Sequence, residues 1–153
     1  MKSASPTILR SMLDCIQGQN PDLEIPPNAF ARPDEVRAAT ASGCIEPGGH
    51  TAGHPNLASC RREEIHVEIE RGRDRIEEIC GRRPNWFAYP FGGPGAVSPE
   101  AAEVVRECGF DGGVSTVTGV VEAVSPAYLL PRITISPGTR LGEFKAFVRG
   151  ARA

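Results

Sequence analysis

Residues 60–92, CRREEIHVEIERGRDRIEEICGRRPNWFAYPFG, carry the clearest structural pattern in the chain. Apolar or small residues recur at helical spacing through the first two thirds, at Ile65, Ile69, Gly72, Ile76 and Ile79. Charged residues fill the other positions, so the pattern predicts an amphipathic helix that ends at Gly81. The next stretch, Asn85 to Tyr89, is rich in β-forming residues and predicts a strand, which Pro90 ends before a glycine-rich loop.

The same alternation of helix and strand continues on both sides. A short helix is predicted from Pro33 to Gly43, and Ser98-Pro99-Glu100 has the hydroxyl cap, proline and acid of a helix start. Strands are predicted at 110–116 and 132–135, and a closing helix near 141–148. Four such steps in a row predict an α/β fold with a parallel sheet or a β/α barrel. Residues 1–32 form a poorly defined N-terminal segment without an obvious first strand.

Composition excludes several classes of function. The chain has 153 residues, a formal net charge of −2 and a pI of about 5.9, and its arginines are interleaved with glutamates. We therefore expect no nucleic-acid partner. No apolar run is long enough to span a membrane, and the N-terminus does not read as a signal peptide, which predicts a cytoplasmic location for the chain as written. The five scattered cysteines fit reduced thiols better than a disulfide framework.

A pair of histidines stands out in residues 50–57, HTAGHPNL. Gly53 and Pro55 disfavour a helix across the pair, so a loop at the carboxyl end of a strand is expected. β/α proteins build their sites at such loops. Spacing alone leaves two interpretations open: His50 and His54 are metal ligands, or they are loop side chains that hydrogen-bond to nearby backbone.

Two motifs in order give the chain a family resemblance. GGHTAGHPNLA at 48–58, followed by a charged helix and WFAYPFGGPG at 86–95, resembles the polysaccharide deacetylases of carbohydrate esterase family 4. The segments RDRIEEICGRRP, LPRI and GEFKAFVRG are also similar to this family. The resemblance covers about residues 33–150. It implies that 33–153 form a polysaccharide deacetylase-like domain, equivalent to the C-terminal two thirds of a family domain.

The resemblance implies both a fold and a reaction. Family members fold as an incomplete, distorted β/α barrel with parallel strands, and they are hydrolases acting on carbon–nitrogen bonds other than peptide bonds. Their substrates are N-acetylated oligo- or polysaccharides, from which they remove acetyl groups. A divalent metal, for which zinc is the expectation here, polarises the amide carbonyl and lowers the pKa of bound water, while a carboxylate takes the proton.

Site residues follow from the same resemblance. It makes His50 and His54 metal ligands and gives the wall of the substrate groove to Tyr89, Pro90, Phe91 and Gly92. An oxyanion donor is expected just after Tyr89, and because Pro90 has no N–H, Phe91 is the next candidate by position. Arg132 is either a residue that orients a carboxylate in the groove or a member of a surface ion pair.

The chain also departs from the family pattern. Family members take a third ligand and a catalytic base from consecutive aspartates in an early T-F-D-D motif, but Asp14, Asp22 and Asp34 are isolated here. The late L-x-H motif is missing too, and Ala88 replaces the usual arginine. The catalytic residues are therefore not identified. Either the protein begins further upstream, which is the simpler interpretation, or this chain is a remnant, and the sequence does not predict whether it is active by itself. A missing N-terminus would make an exported location possible.

Two other functions remain open at this point. A chain with the groove wall but without the base would bind an acetylated glycan without hydrolysing it. Alternatively, Cys44, His50, His54 and Cys60 would form a structural zinc site, although their spacing is not that of known zinc fingers. His66 lies beside the apolar stripe of its helix, which predicts a solvated surface residue.

Overall fold

The computed structural model of the chain describes residues 31–43, 45–136 and 138–149. Within these ranges there are four α-helices, which are α1 (Pro33–Ala41), α2 (Arg62–Cys80), α3 (Pro99–Glu107) and α4 (Leu141–Val148). A 3₁₀ turn covers Leu57–Ser59, and the strands are β1 (Trp86–Ala88), β2 (Gly112–Thr118) and β3 (Leu130–Arg132). Residues 1–30 of the N-terminal segment lie outside these ranges, as does Cys44. No described helix is long and apolar enough to cross a bilayer.

The strands form a parallel sheet in the order β1-β2-β3. Gly49 extends it by one parallel bridge to Phe87, on the side of β1 away from β2. The predicted α/β fold with parallel strands is therefore confirmed. The described part of the chain forms an open three-stranded sheet and not a barrel.

The third strand lies earlier than its predicted position. It covers Leu130–Arg132 instead of 132–135, and it pairs Leu130 with Val114 and Arg132 with Thr118. Propensity alone places this strand poorly because Pro131 has no N–H to give to a ladder. A proline is nevertheless accepted on an edge strand, and β3 pairs with β2 on one side only among the described residues.

Helix α2 is the element that supports the site. Its apolar stripe buries Ile65, Ile69 and Gly72, as the sequence predicts, and Gly81 ends it in the left-handed conformation with φ 73°. The helix packs against α1 on one side and α3 on the other. The middle of α2, which is 19 residues long, also contacts the segment that follows Gly49.

The core lies between the sheet and helices α2 and α3. Its fully buried side chains include Leu57, Ile65, Ile69, Phe87, Tyr89, Val104 and Val105. The Phe87 ring meets Tyr89 and Phe110 edge to face, with ring centroids 5.1 and 5.3 Å apart, the geometry that aromatic pairs prefer. A Cβ on Gly49 would lie 2.7 Å from the Phe110 ring, so only glycine allows the strand to run this close to the aromatic cluster.

Candidate metal-binding site at the carboxyl edge of the sheet

Two loops meet where Gly49 and β1 end. We define the histidine loop as residues 50–56 and the β1 loop as residues 89–95. Gly49 donates its N–H to the Trp86 carbonyl at 2.8 Å and accepts from the Ala88 N–H at 2.8 Å. This parallel pairing brings the two loops side by side at the carboxyl edge of the sheet, the position predicted for a site in a β/α protein.

The His50 ring is held in a defined tautomer by the backbone of β1. Its Nδ1 atom lies 2.6 Å from the Ala88 carbonyl oxygen. Because a carbonyl only accepts, Nδ1 carries the proton and donates it, which leaves the lone pair on Nε2. A hydrogen bond from the nitrogen that does not bind the metal to a backbone carbonyl is what orients metal-binding histidines in proteins.

His54 lies between His50 and the β1 loop. Its ring centroid is 4.8 Å from that of His50 and 4.9 Å from that of Phe91, with interplanar angles of 71° in both pairs. The His54 N–H donates to the Thr51 hydroxyl oxygen at 3.0 Å, which closes the loop on itself. Both imidazoles are exposed, so a cation or a substrate has access to them.

Unusual backbone conformations concentrate at this place. Among the described residues, the only non-glycine residues with positive φ are Thr51 at 63°, His54 at 55° and Phe91 at 61°. This region of the Ramachandran map is costly for residues with a Cβ, and such residues cluster at functional sites where packing holds them. No signal in the sequence identifies them, because none of the three is glycine, asparagine or aspartate.

Helix α2 supports the histidine loop through hydrogen bonds and close packing. The Ala52 N–H donates to the Glu68 carbonyl at 3.0 Å, and the Gly53 N–H donates to the Glu68 carboxylate at 2.6 Å. Gly72 makes the approach possible, since a Cβ there would lie 2.7 Å from the Thr51 carbonyl carbon. These contacts fix the backbone between the two histidines, a role of Glu68 and Gly72 that no sequence pattern indicated.

The predicted groove residues divide into two groups. Tyr89 is only 1% exposed and donates its hydroxyl to the Tyr128 carbonyl at 2.7 Å, and its burial raises the pKa of the phenol. The Tyr89 hydroxyl therefore finds its hydrogen-bond partner inside the core, and the assignment of Tyr89 to the groove wall stays a prediction. Pro90 and Gly92 are also buried, whereas the Phe91 side chain is 56% exposed.

Phe91 occupies the centre of a tight turn. The Gly92 N–H donates to the Pro90 carbonyl at 2.7 Å, and the Thr116 hydroxyl donates to the Phe91 carbonyl at 2.9 Å. The Phe91 N–H makes no hydrogen bond with any described residue. A backbone donor without a partner among the described residues, in a residue whose ring contacts the His54 imidazole, is a candidate element of an oxyanion site.

The remaining candidates lie outside this pair of loops. Arg132 ends β3, is exposed and makes no ion pair within the described ranges. Cys60 donates its thiol to the Asn56 carbonyl at 3.4 Å, and burial, then Glu64 and Glu68, raise its pKa. Cys44, the other sulfur of the Cys₂His₂ alternative, is not among the described residues.

Two imidazoles alone make an incomplete metal site. In the part of the chain that the structure describes, no carboxylate or thiol joins His50 and His54 in a cluster of three ligands. Their donor chemistry suits zinc and related divalent cations, with the Nε2 atom of His50 available as a ligand. Structural zinc sites use four protein ligands and catalytic ones three, so further ligands are required.

Comparison with known proteins places this geometry in a family. The family model of the polysaccharide deacetylases matches residues 15–113, which include the histidine loop and the β1 loop. The chain belongs to the polysaccharide deacetylase family. The match begins at residue 15, so this deacetylase-family chain carries family sequence inside the segment 1–32 as well.

Curated relatives agree with the family over short stretches. The deacetylase-family chain is 38% identical over 64 residues to the chitooligosaccharide deacetylase of Azorhizobium caulinodans, which covers 41% of this chain and 29% of that protein. It is 32% identical over 47 residues to the uncharacterised protein YlxY of Bacillus subtilis, covering 31% of this chain and 15% of that protein. The chain thus spans less than a third of the length of each of these two relatives.

Solved deacetylase structures share the fold. The deacetylase PplD of Streptococcus pyogenes, in complex with acetate, superimposes with a TM-score of 0.71 at 18% identity, over 84% of this chain and 54% of that one. A polysaccharide deacetylase from Bacillus cereus gives a TM-score of 0.69 at 19% identity, over 80% and 38%. At these identities the similarity establishes the fold of the family member and no more.

Proposed function

We propose that this polysaccharide deacetylase family member takes part in the metal-dependent hydrolysis of N-acetyl groups on an oligo- or polysaccharide. The observation that carries the proposal is the meeting of His50, His54 and Phe91 at the carboxyl edge of the sheet, with ring centroids 4.8 and 4.9 Å apart. Family membership supports carbohydrate deacetylation, and the named relatives include a chitooligosaccharide deacetylase.

Each residue has a defined part in this proposal. His50 and His54 bind a divalent cation, expected to be zinc, and the bond from His50 Nδ1 to the Ala88 carbonyl leaves the Nε2 lone pair available as a ligand. When bound, such a cation supplies Lewis-acid polarisation of the acetyl carbonyl. The Phe91 side chain forms an apolar contact beside the site, and its free N–H is the donor for the developing oxyanion. Arg132 is proposed as an orienting residue at the end of β3.

The proposal requires groups that the described residues do not supply. A third ligand is needed for firm zinc binding, and a carboxylate is needed to take a proton from water. Loss of such a base costs on the order of 10²- to 10⁴-fold in rate. We therefore assign no catalytic base, and activity of this chain by itself depends on whether a carboxylate reaches the two imidazoles.

The domain and its barrel are part of the same proposal. The bridging segment at Gly49 and strands β1, β2 and β3 are parallel neighbours in sequence order, without the reversal that marks a doubly wound sheet. We propose that residues 33–153 contribute this arc to an incomplete β/α barrel. The family match that starts at residue 15 extends the same unit upstream.

A second function, glycan binding without hydrolysis, is favoured by one observation. Within the described ranges, no carboxylate joins the two imidazoles. The exposed Phe91 side chain would then provide an apolar surface for a sugar ring, and turnover would not occur. The Cys₂His₂ zinc site is less favoured because Cys60 is turned toward the Asn56 carbonyl.

Acetate release tests the two functions against each other. The purified chain is incubated with N-acetylated chitooligosaccharide and Zn²⁺ or Co²⁺, and acetate and glycan binding are both measured. The deacetylase proposal predicts acetate release that is lost in His50→Ala and His54→Ala. The matched control His66→Gln, which removes a histidine from the face of α2 toward α3, is expected to keep it. Binding without acetate would support the second function, and the absence of both would refute the two together.

A further inference from the structure

A second cluster of metal-ligating side chains lies at the contact between α2 and α3. His66 and Glu70 are four residues apart on α2 and therefore share a face, and Cys108 is the C-cap residue that follows the last residue of α3. One ligand atom from each of the three lies within 4.8 Å of the other two. None of these residues belongs to the histidine loop or the β1 loop, so the cluster is separate from the site described above.

The His66 ring presents a lone pair to the thiol. Its Nε2 lies 3.0 Å from a Glu107 carboxylate oxygen, and because an ionised carboxylate only accepts, Nε2 carries the proton. The Nδ1 atom is then the acceptor, and it lies 3.7 Å from the Cys108 sulfur. This corrects the prediction that His66 is a solvated surface residue.

Glu107 is itself held in place by the guanidinium group of Arg62. Arg62 donates to both of its carboxylate oxygens at 2.6 and 2.7 Å. The hydrogen bond from His66 is the largest of several contacts that lower the pKa of Glu107, so this carboxyl stays ionised. A carboxylate that fixes the outer nitrogen of a histidine is the arrangement that proteins use behind metal-binding imidazoles.

The distance between sulfur and nitrogen suits a tetrahedral cation. Zinc bonds of about 2.3 Å to sulfur and about 2.0–2.1 Å to nitrogen, at a tetrahedral angle, place the two ligand atoms about 3.6 Å apart. The observed separation is 3.7 Å. Glu70 is exposed and its carboxylate oxygen lies within 4.8 Å of the other two ligand atoms, so a rotation of its side chain would bring that oxygen to the cation.

We propose that His66, Glu70 and Cys108 bind a zinc-like divalent cation that bridges α2 and α3. His66 Nδ1, the Cys108 sulfur and a Glu70 oxygen are three ligands of the borderline-soft set that zinc accepts, and a water molecule takes the fourth position. The thiol loses its proton to solvent when the cation binds, so one proton is released per site. The bound cation holds the end of α3 against the middle of α2. The proposal is independent of the deacetylase function.

Burial is the reason that the thiol is protonated without the cation. It raises the pKa of Cys108 to about 11, and nearby carboxylates, Glu70 first, add to the rise while Arg73 opposes it. In that state the thiol donates a weak hydrogen bond to His66 Nδ1, a contact that the same 3.7 Å separation also fits. Metal binding and a plain thiol hydrogen bond therefore make different predictions only when a cation is added.

A cobalt titration of the reduced full chain tests the proposal. Co²⁺ bound to a thiolate gives a sulfur-to-cobalt charge-transfer band in the near ultraviolet, and we expect one such band with saturation at one equivalent. The band should be lost in Cys108→Ser and in His66→Ala and weakened in Glu70→Gln. It should persist in His50→Ala and in Cys60→Ser, the matched control that removes a thiol near the other site.

Two outcomes would overturn the proposal. One is the absence of a charge-transfer band at saturating Co²⁺ in the wild-type chain, which would leave the contact as a thiol hydrogen bond. The other is a band that depends on Cys60 and His50 but not on Cys108. Circular dichroism of each variant identifies unfolding, and His66→Ala, which keeps the thiol, provides the test if Cys108→Ser does not fold.

Discussion

A methyl group at residue 72 should move the histidine loop. In an exposed helix, glycine to alanine stabilises by about 1 kcal/mol because alanine has the higher helix propensity. In α2, a Cβ on Gly72 would lie 2.7 Å from the Thr51 carbonyl carbon, 2.8 Å from its oxygen and 3.1 Å from the Ala52 nitrogen. Relief of that contact to an ordinary separation of at least 3.4 Å requires a shift of about 0.7 Å in the loop.

The size of the effect follows from two opposing terms. Overpacking of this kind costs about 1–3 kcal/mol, and the gain in helix propensity offsets about 1 kcal/mol of it. Gly72→Ala should therefore lower the free energy of unfolding by up to about 2 kcal/mol. It should also weaken zinc binding at His50 and His54. The shifted residue, Thr51, lies between the two histidines, and its hydroxyl oxygen accepts the His54 N–H.

Urea unfolding with a matched control gives the test. Gly142 lies in α4 and a Cβ there meets nothing within 4 Å, so Gly142→Ala should stabilise the chain or leave it unchanged. If Gly72→Ala stabilises the chain as much as Gly142→Ala does, the loop does not rest on α2 as described. Unchanged zinc affinity in Gly72→Ala would refute the link between this contact and the metal ligands.

Three further predictions test the bracing, the core and a helix cap. Glu68→Ala removes the acceptor of the Gly53 N–H and should cost about 1–3 kcal/mol in unfolding free energy, while Glu68→Gln, which keeps an acceptor oxygen, should cost less. Tyr89→Phe should cost about 1 kcal/mol through loss of the bond to the Tyr128 carbonyl, without a change in glycan affinity. Because the pKa of Tyr89 is raised, the unfolded phenol ionises first, so stability should fall as pH rises past 10 in the wild type and less in Tyr89→Phe. Ser98→Ala should cost about 1 kcal/mol by removing the hydroxyl that caps α3, measured by urea unfolding, and equal stability of the two chains would exclude that cap.

Local sequence patterns predicted the helix ends and the buried face of α2 correctly. Ser98 caps α3 and Gly81 ends α2 in the left-handed conformation, as the sequence indicated. The buried stripe of α2 also agrees with the predicted periodicity. These features depend on neighbours within one turn of helix, so the sequence contains all the information needed.

Contacts between distant segments were predicted less well. The burial of Tyr89 depends on the Tyr128 carbonyl, 39 residues away, and the pairing of His66 with Glu107 depends on how α3 lies on α2. The turn at Phe91, whose φ is positive, likewise has its carbonyl bonded to the hydroxyl of Thr116, 25 residues away. The position of His50 at the carboxyl edge of the sheet follows the general rule for β/α proteins, whereas its ring orientation depends on a bond to Ala88.

His50 and His54 are proposed to bind a divalent cation together. Long-range ¹H–¹⁵N NMR of the imidazole rings, recorded before and after addition of zinc, tests this proposal most directly. Before zinc is added, His50 should be protonated on Nδ1, in agreement with its bond to the Ala88 carbonyl. Zinc should then shift His50 Nε2 and one His54 nitrogen at the same equivalence point. Unchanged His50 and His54 nitrogen shifts at saturating zinc would contradict it.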